Sequence, residues 1–188
     1  MFHPFMDVVA RELAERGIAT LRYQFPYMEK GAKRPDPPKL AHATVRAAVA
    51  AAAKLAPALA LVAGGKSFGG RMTSQAQAAS PLPGVRGLAF LGFPLHPAGR
   101  PSDERAGHLS AVEVPMLFLQ GSRDKLAELG LLSRLMERLG ERASLQLIQD
   151  ADHSFRVPAR TGRKHADVTR DMMDALAAWI LSVISRRG

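Results

Sequence analysis

Leu61-Val62-Ala63-Gly64-Gly65-Lys66-Ser67-Phe68-Gly69-Gly70 is the stretch on which the reading of this 188-residue chain turns. An apolar run leads into Gly65-Lys66-Ser67-Phe68-Gly69, and a helical pattern follows. This is a G-x-S-x-G arrangement, in which a serine on a sharp strand-to-helix turn projects its hydroxyl into a cleft. Glycines on either side let two backbone segments approach without a Cβ between them. The serine also falls near a helix N-terminus, whose free N–H groups favour developing negative charge.

A nucleophilic serine needs a base, and the base needs an orienting acid. In an open α/β sheet such groups gather beyond the carboxyl ends of the strands. Two later apolar runs end suitably. Pro115-Met116-Leu117-Phe118-Leu119 leads into Gln120-Gly121-Ser122-Arg123-Asp124, and Leu145-Gln146-Leu147-Ile148 into Gln149-Asp150-Ala151-Asp152-His153. The order Ser67, Asp124, His153 is that of a nucleophile, an acid and a base on successive strand ends. Asp124 could instead cap a helix starting near Lys125. Asp150 and Asp152 compete as the acid, but they adjoin His153, and adjacent side chains rarely point at one another. Asp124 is therefore preferred. His3, His42, His96, His108 and His165 have no strand-end context, and His96 and His108 read as solvated residues of a loop.

Gly65-Lys66-Ser67 also has the look of the end of a phosphate-binding loop. That motif demands a glycine five residues before Gly65, where this chain has Ala60. Lys66 is then the variable position before the nucleophile and reads as solvated.

Outward from this stretch, hydrophobic periodicity and turn residues set out alternating elements. Helices are expected at 7–16, 40–55, 70–79, 125–139 and 167–185. Strands are expected at 18–23, 58–63, 85–92, 115–120 and 145–149. Long loops at 26–38 and 93–108 are expected to run over the surface and shape an entrance. Strands alternating with helices predict an α/β fold, a mainly parallel sheet with helices on both faces. At this length a single domain over 1–188 is expected.

The absence of cysteine excludes disulfides and thiolate metal sites and fits a reducing compartment. The formal net charge of +9 comes from scattered basic residues rather than an aromatic-interleaved patch, so no nucleic-acid partner is expected. No run reaches the length of a membrane span; residues 45–63 come nearest and are broken by Arg46, Lys54 and Pro57. The N-terminus has no basic segment followed by an apolar core. A cytoplasmic protein that engages no membrane is expected, with a homo-oligomer left open.

These phrases together resemble the α/β-hydrolase superfamily. The resemblance is greatest to a bacterial branch grouped with testis-expressed protein thirty and a subunit of the nonspecific-lethal histone acetyltransferase complex. It rests on His3-Pro4-Phe5-Met6, on the run from Gly17 to Tyr27, and on Gly64 to Met72. Gly92-Phe93-Pro94-Leu95-His96-Pro97, Gln120 to Asp124 and Asp152-His153-Ser154-Phe155 complete it. Dienelactone-hydrolase-like proteins are more distant by the same pattern. The resemblance implies a serine hydrolase acting on a small-molecule acyl substrate without metal or cofactor. Ser67 would be the nucleophile, His153 the base, Asp124 its orienting acid, and the Phe68 N–H an oxyanion donor. A non-catalytic interaction module on the same scaffold is the alternative. Related chains also carry a central strand and a His-Gly-rich loop ahead of the His-Pro-Phe-Met segment. Without that strand the expectation is a gap between 18–23 and 58–63, direct pairing of the two, or a partner chain between them. The second oxyanion donor would then be missing or come from the N-terminal residues.

Overall fold

A computed structural model describes residues 4–185. Helix α1 (Pro4–Glu15) leads through residues 16–25 into the short helix α2 (Pro26–Glu29). Helix α3 (Pro38–Leu55) precedes strand β1 (Leu61–Lys66), helix α4 (Phe68–Ala79) and strand β2 (Val85–Leu91). After a loop with a 3-10 helix at Glu104–Ala111 come β3 (Met116–Gly121), α5 (Leu129–Leu139), β4 (Ala143–Ile148) and α6 (His165–Ser185). The strands form one four-stranded sheet in the order β1-β2-β3-β4, and every pairing is parallel.

The continuous apolar runs of β2 and β3 follow from burial on both faces. Leu88 and Phe90 of β2, with Met116 and Phe118 of β3, pack with α3, α4 and α5 on one side. Their alternate neighbours Ala89, Leu91, Leu117 and Leu119 pack with α1 and α6 on the other. Phe90, Phe93 and Phe118 meet edge to face, with ring centroids 4.8–5.7 Å apart. That geometry suits the ring quadrupoles.

Two element boundaries differ from expectation for a physical reason. The first strand begins at Leu61 rather than at residue 58, and it keeps Gly64 and Gly65 inside it. A Cβ on Gly64 would lie 2.0 Å from the Ala89 carbonyl oxygen of the neighbouring strand, so this glycine is a packing requirement and not a turn. Helix α5 starts at Leu129 instead of residue 125, because 122–128 is spent on turns that carry Asp124.

The expected strand at 18–23 does not form. Residues 18–25 belong to no helix or strand, and the backbone groups of 19–24 have no partner among the described residues. β1 pairs only with β2. Of the three arrangements expected here, the described residues show the gap. Cavities of about 330, 220 and 140 Å³ lie along it, each bounded by part of 18–25 on one side and part of β1 on the other. Residues near 18–21 face the start of β1 and residues 21–25 its end, so the two run in the same direction across the slot. The loop at 26–38 is less open than expected. It contains α2, and the Tyr27 N–H donates to the Asp36 carboxylate across it at 3.0 Å. No helix among the described residues is long and apolar enough to cross a membrane.

Candidate active site

Three strand ends supply the site. Ser67 follows β1 directly, Asp124 lies three residues beyond β3, and His153 lies five beyond β4. Ser67 has φ +50° and ψ −115°, a conformation that side chains other than glycine rarely adopt. Two surrounding glycines make this turn possible. A Cβ on Gly65 would meet the Gly69 and Gly70 backbone at 3.1 Å, and one on Gly70 would meet the Gly65 carbonyl oxygen at 2.8 Å. Gly69, the last glycine of the G-x-S-x-G pattern, is not cramped: a Cβ there would touch only the Phe25 ring, at 3.7 Å. The close approach therefore runs from Gly65 to Gly70, a pairing the motif alone does not specify. The three residues Gly64 to Lys66 are paired strand and not loop, which removes the phosphate-loop arrangement.

His153 Nε2 lies 2.9 Å from Ser67 Oγ, and His153 Nδ1 lies 2.7 Å from Asp124 Oδ2. Ionised Asp124 can only accept, so Nδ1 carries the proton and Nε2 presents its lone pair to the serine hydroxyl. The Asp124 side chain is wholly buried. Its Oδ2 also accepts from the Gln120 amide, and its Oδ1 accepts from the Leu126 N–H at 2.8 Å. Gln120 is fixed in turn, since its carbonyl oxygen accepts the Phe93 N–H at 2.8 Å. Asp124 is thus a buried acceptor in a closed network, beyond any capping role. Asp152 is engaged locally, accepting from the Ser154 and Arg156 N–H groups at 2.8 and 2.9 Å. Asp150 and Phe155 both take positive φ, which bends this loop so that the His153 ring reaches back over the sheet.

Phe68 opens α4, and its N–H has no acceptor among the described residues. The first N–H groups of a helix lack intrahelical partners and carry the positive end of its dipole. The cavity of about 330 Å³ opens on Ser67 and Phe68, with Phe25 and Tyr27 across from them. The Phe68 ring packs edge to face on both, at 5.2 and 5.8 Å. Burial holds the Tyr23 and Tyr27 phenols above their ordinary pKa, so both keep their protons at the cavity wall.

Lys66 is not solvated as expected. Its ammonium donates to the His153 carbonyl oxygen and sits 4.5 Å from the Phe155 ring centre and 5.5 Å from that of Phe5. Burial pushes its pKa down to about 8, against the opposing pull of Asp124 and Asp152. The residue before Ser67 thereby tethers the loop that carries His153. Nothing in the G-x-S-x-G pattern announces this; the paired aromatic residues at positions 5 and 155 were the available signal.

Two of the remaining histidines, His96 and His108, are also placed differently from expectation. His96 is buried, with Nδ1 2.9 Å from the Pro97 carbonyl and Nε2 accepting the Glu128 N–H at 3.0 Å. It braces the loop after β2 against the loop before α5. His108 lies 2.8 Å from Ser74 Oγ, and burial, helped by Arg71 and His42, pushes its pKa down to about 4. His42 contacts Gln75 at 3.2 Å, and His165 is exposed at the start of α6. His3 lies outside the described residues. No group of three or more metal-ligating side chains occurs among the described residues.

A family model described as an alpha/beta hydrolase domain matches residues 1–181. Among solved structures, an α/β serine hydrolase homologue from Coxiella burnetii is 18% identical with a TM-score of 0.71, over 93% of this chain and 81% of that one. A dienelactone hydrolase from Anabaena variabilis is 19% identical with a TM-score of 0.75, over 97% and 80%. An α/β serine hydrolase without a lid, from Xanthomonas campestris, is 24% identical with a TM-score of 0.67, over 92% and 72%. At these identities the likeness is one of fold.

Proposed function

The chain belongs to the alpha/beta hydrolase family, and from that premise we propose that it hydrolyses a carboxylic ester or related acyl compound through Ser67, His153 and Asp124. The observation that carries this reading is the unbroken relay from Ser67 Oγ to His153 Nε2 at 2.9 Å and from His153 Nδ1 to Asp124 at 2.7 Å. Three residues spread over 86 positions have no packing reason to align in this way.

In this reading Ser67 Oγ attacks the acyl carbon while His153 Nε2 takes the hydroxyl proton. The carbonyl oxygen, now an anion, is met by the Phe68 N–H at the mouth of α4. Collapse of the adduct expels the alcohol, which receives the proton from His153. Water then repeats the sequence on the acyl-enzyme, with His153 as base again. Asp124 keeps the ring in the tautomer required and stabilises the imidazolium that forms. The phrases shared with the branch that includes testis-expressed protein thirty support placing the chain there.

The test is turnover of 4-nitrophenyl butyrate and labelling by a fluorophosphonate probe, in the wild type and in Ser67→Ala. Both should vanish in the variant; labelling at the wild-type rate in Ser67→Ala would remove Ser67 as nucleophile. A second reading, a non-catalytic binding module, is favoured by the unpaired edge of β1 that ends at this turn. A folded wild-type protein that neither labels nor turns over ester would favour it.

A further inference from the structure

β4 is an outer strand of the sheet, and no described residue pairs with its free side. Ser144 to Leu147 are exposed in succession, and Leu145 and Leu147 each keep 37% exposure. Ala143 packs with the cluster that includes α5, and Ile148 with the cluster that includes α6. Side chains alternate along a strand, so the two exposed leucines share the α5 face, and Ser144 and Gln146 share the other.

One bond fixes the direction of the main-chain groups. The Ile148 carbonyl oxygen accepts the Ser122 N–H at 3.0 Å, on the β3 side. The N–H and C=O of a strand residue point the same way and reverse at the next residue, so Ser144 and Gln146 also face β3. Those of Leu145 and Leu147 point outward, with no partner among the described residues. Proteins blunt such edges with charge, proline or a bulge. β4 reads Ala-Ser-Leu-Gln-Leu-Ile, free of charge and proline, and its pairing with β3 runs without a shift.

The sequence of this edge is complementary to itself. Laid antiparallel to its own copy with Gln146 opposite Gln146, it sets Leu145 of each copy against Leu147 of the other. These are the residues whose main-chain groups point outward, so each leucine pair exchanges two N–H···O=C bonds, and apolar side chains meet directly across the join. Arg142 and Asp150 stand four places on either side of Gln146, which brings Arg142 of each copy to Asp150 of the other. Neither has an oppositely charged partner among the described residues: Arg142 donates to the Ser110 and Val112 carbonyls, and only the Asp150 N–H is engaged, by Ser122 Oγ. Centring the pair on Leu145 or Leu147 instead would set a leucine against Ala143 or Gln149 and separate the charges.

We propose that two copies of this chain associate through β4, antiparallel about a twofold axis at Gln146, joining two four-stranded sheets into one continuous sheet. Asp150 lies three residues before His153, so Arg142 of the second copy bears on the loop that carries His153. The association itself does not depend on the serine-hydrolase reading, and its tests read mass and cross-linking, not turnover.

Sedimentation equilibrium from micromolar to hundreds of micromolar protein should show the wild type approaching twice 20.3 kDa. Leu147→Lys, at an exposed position, should weaken the dimer about tenfold or more, because the apolar contact is lost twice across the axis. A wild type that stays monomeric throughout, or a Leu147→Lys dimer as tight as the wild type, would overturn the proposal. The register is read by cross-linking, since the chain has no cysteine of its own. The central pair is not hydrogen-bonded, and its Cα atoms lie about 4.5 Å apart, within disulfide range. Gln146→Cys should therefore give a disulfide-linked dimer under mild oxidation, at least about tenfold faster than Ser144→Cys. In the latter the two thiols sit four residues out of register, more than about 13 Å apart. Equal rates in the two variants would overturn the pairing at Gln146.

Discussion

Replacing Lys66 by methionine removes a charge that the fold holds at a cost. The ordinary lysine value of 10.5 falls to about 8 in the folded chain because burial strips water from the ammonium. At 1.36 kcal/mol per tenfold change in proton affinity, carrying the charge at neutral pH costs about 3 kcal/mol. The bond to the His153 carbonyl and the two aromatic faces offset part of this. They are worth about 1.5–3 kcal/mol and about 0.5–2 kcal/mol respectively. The pH dependence of stability should therefore change much in Lys66→Met. Because the folded pKa lies below the unfolded one, the unfolded chain binds more protons between about pH 8 and 10.5. Wild-type stability should rise through that window, by about 2 kcal/mol from pH 7.5 to 9.5 relative to the methionine variant. Urea unfolding of both proteins at half-unit pH steps measures this difference, in which other titrating groups cancel. A difference that stays constant from pH 7.5 to 9.5 would refute the buried, charged placement of Lys66. A faster turnover in the methionine variant would refute its tethering of His153.

Asp124→Asn puts an amide among the Gln120 amide, the Leu126 N–H and the His153 ring, so a donor replaces an acceptor at one of its two terminal positions. The ring should turn or change tautomer, and kcat/KM for an activated ester should drop about 10⁴-fold while thermal unfolding shifts modestly. Wild-type turnover would take Asp124 out of the relay. Gly64→Ala should destabilise by about 3 kcal/mol or more, since its methyl collides with the Ala89 carbonyl at 2.0 Å. Gly69→Ala, which meets only an ordinary contact, should be neutral or stabilising by up to about 1 kcal/mol. Equal unfolding midpoints for the two variants would contradict the packing at β1.

The convergence of Ser67, Asp124 and His153 was legible in the sequence because each follows an apolar strand run, and sheet topology alone gathers such ends at one rim. Residues 18–23 have strand-like composition, yet pairing is a property of neighbours, and β1 is not beside them. The displaced start of β1 has the same origin: the close approach of β2 at Ala89 decides where glycine is required, which local propensity cannot report. Lys66, His96 and His108 read as solvated because long or polar side chains usually are. Their partners lie 32 to 87 residues away and are brought in by the fold. Arg71 falls inside the Gly64 to Met72 phrase with nothing in the sequence to mark it, since an unpaired nitrogen is visible only once its surroundings are known.

The slot between 18–25 and β1 offers main-chain donors and acceptors along both walls, and its far end is the turn that bears Ser67. Any extended polypeptide laid into it would be stitched in through its amides whatever its side chains, and it would also stiffen the serine turn from behind. If Ser67 is acylated as proposed, an occupant of the groove would register as a change in acylation rate, and bulky reagents at the serine would compete with it for room.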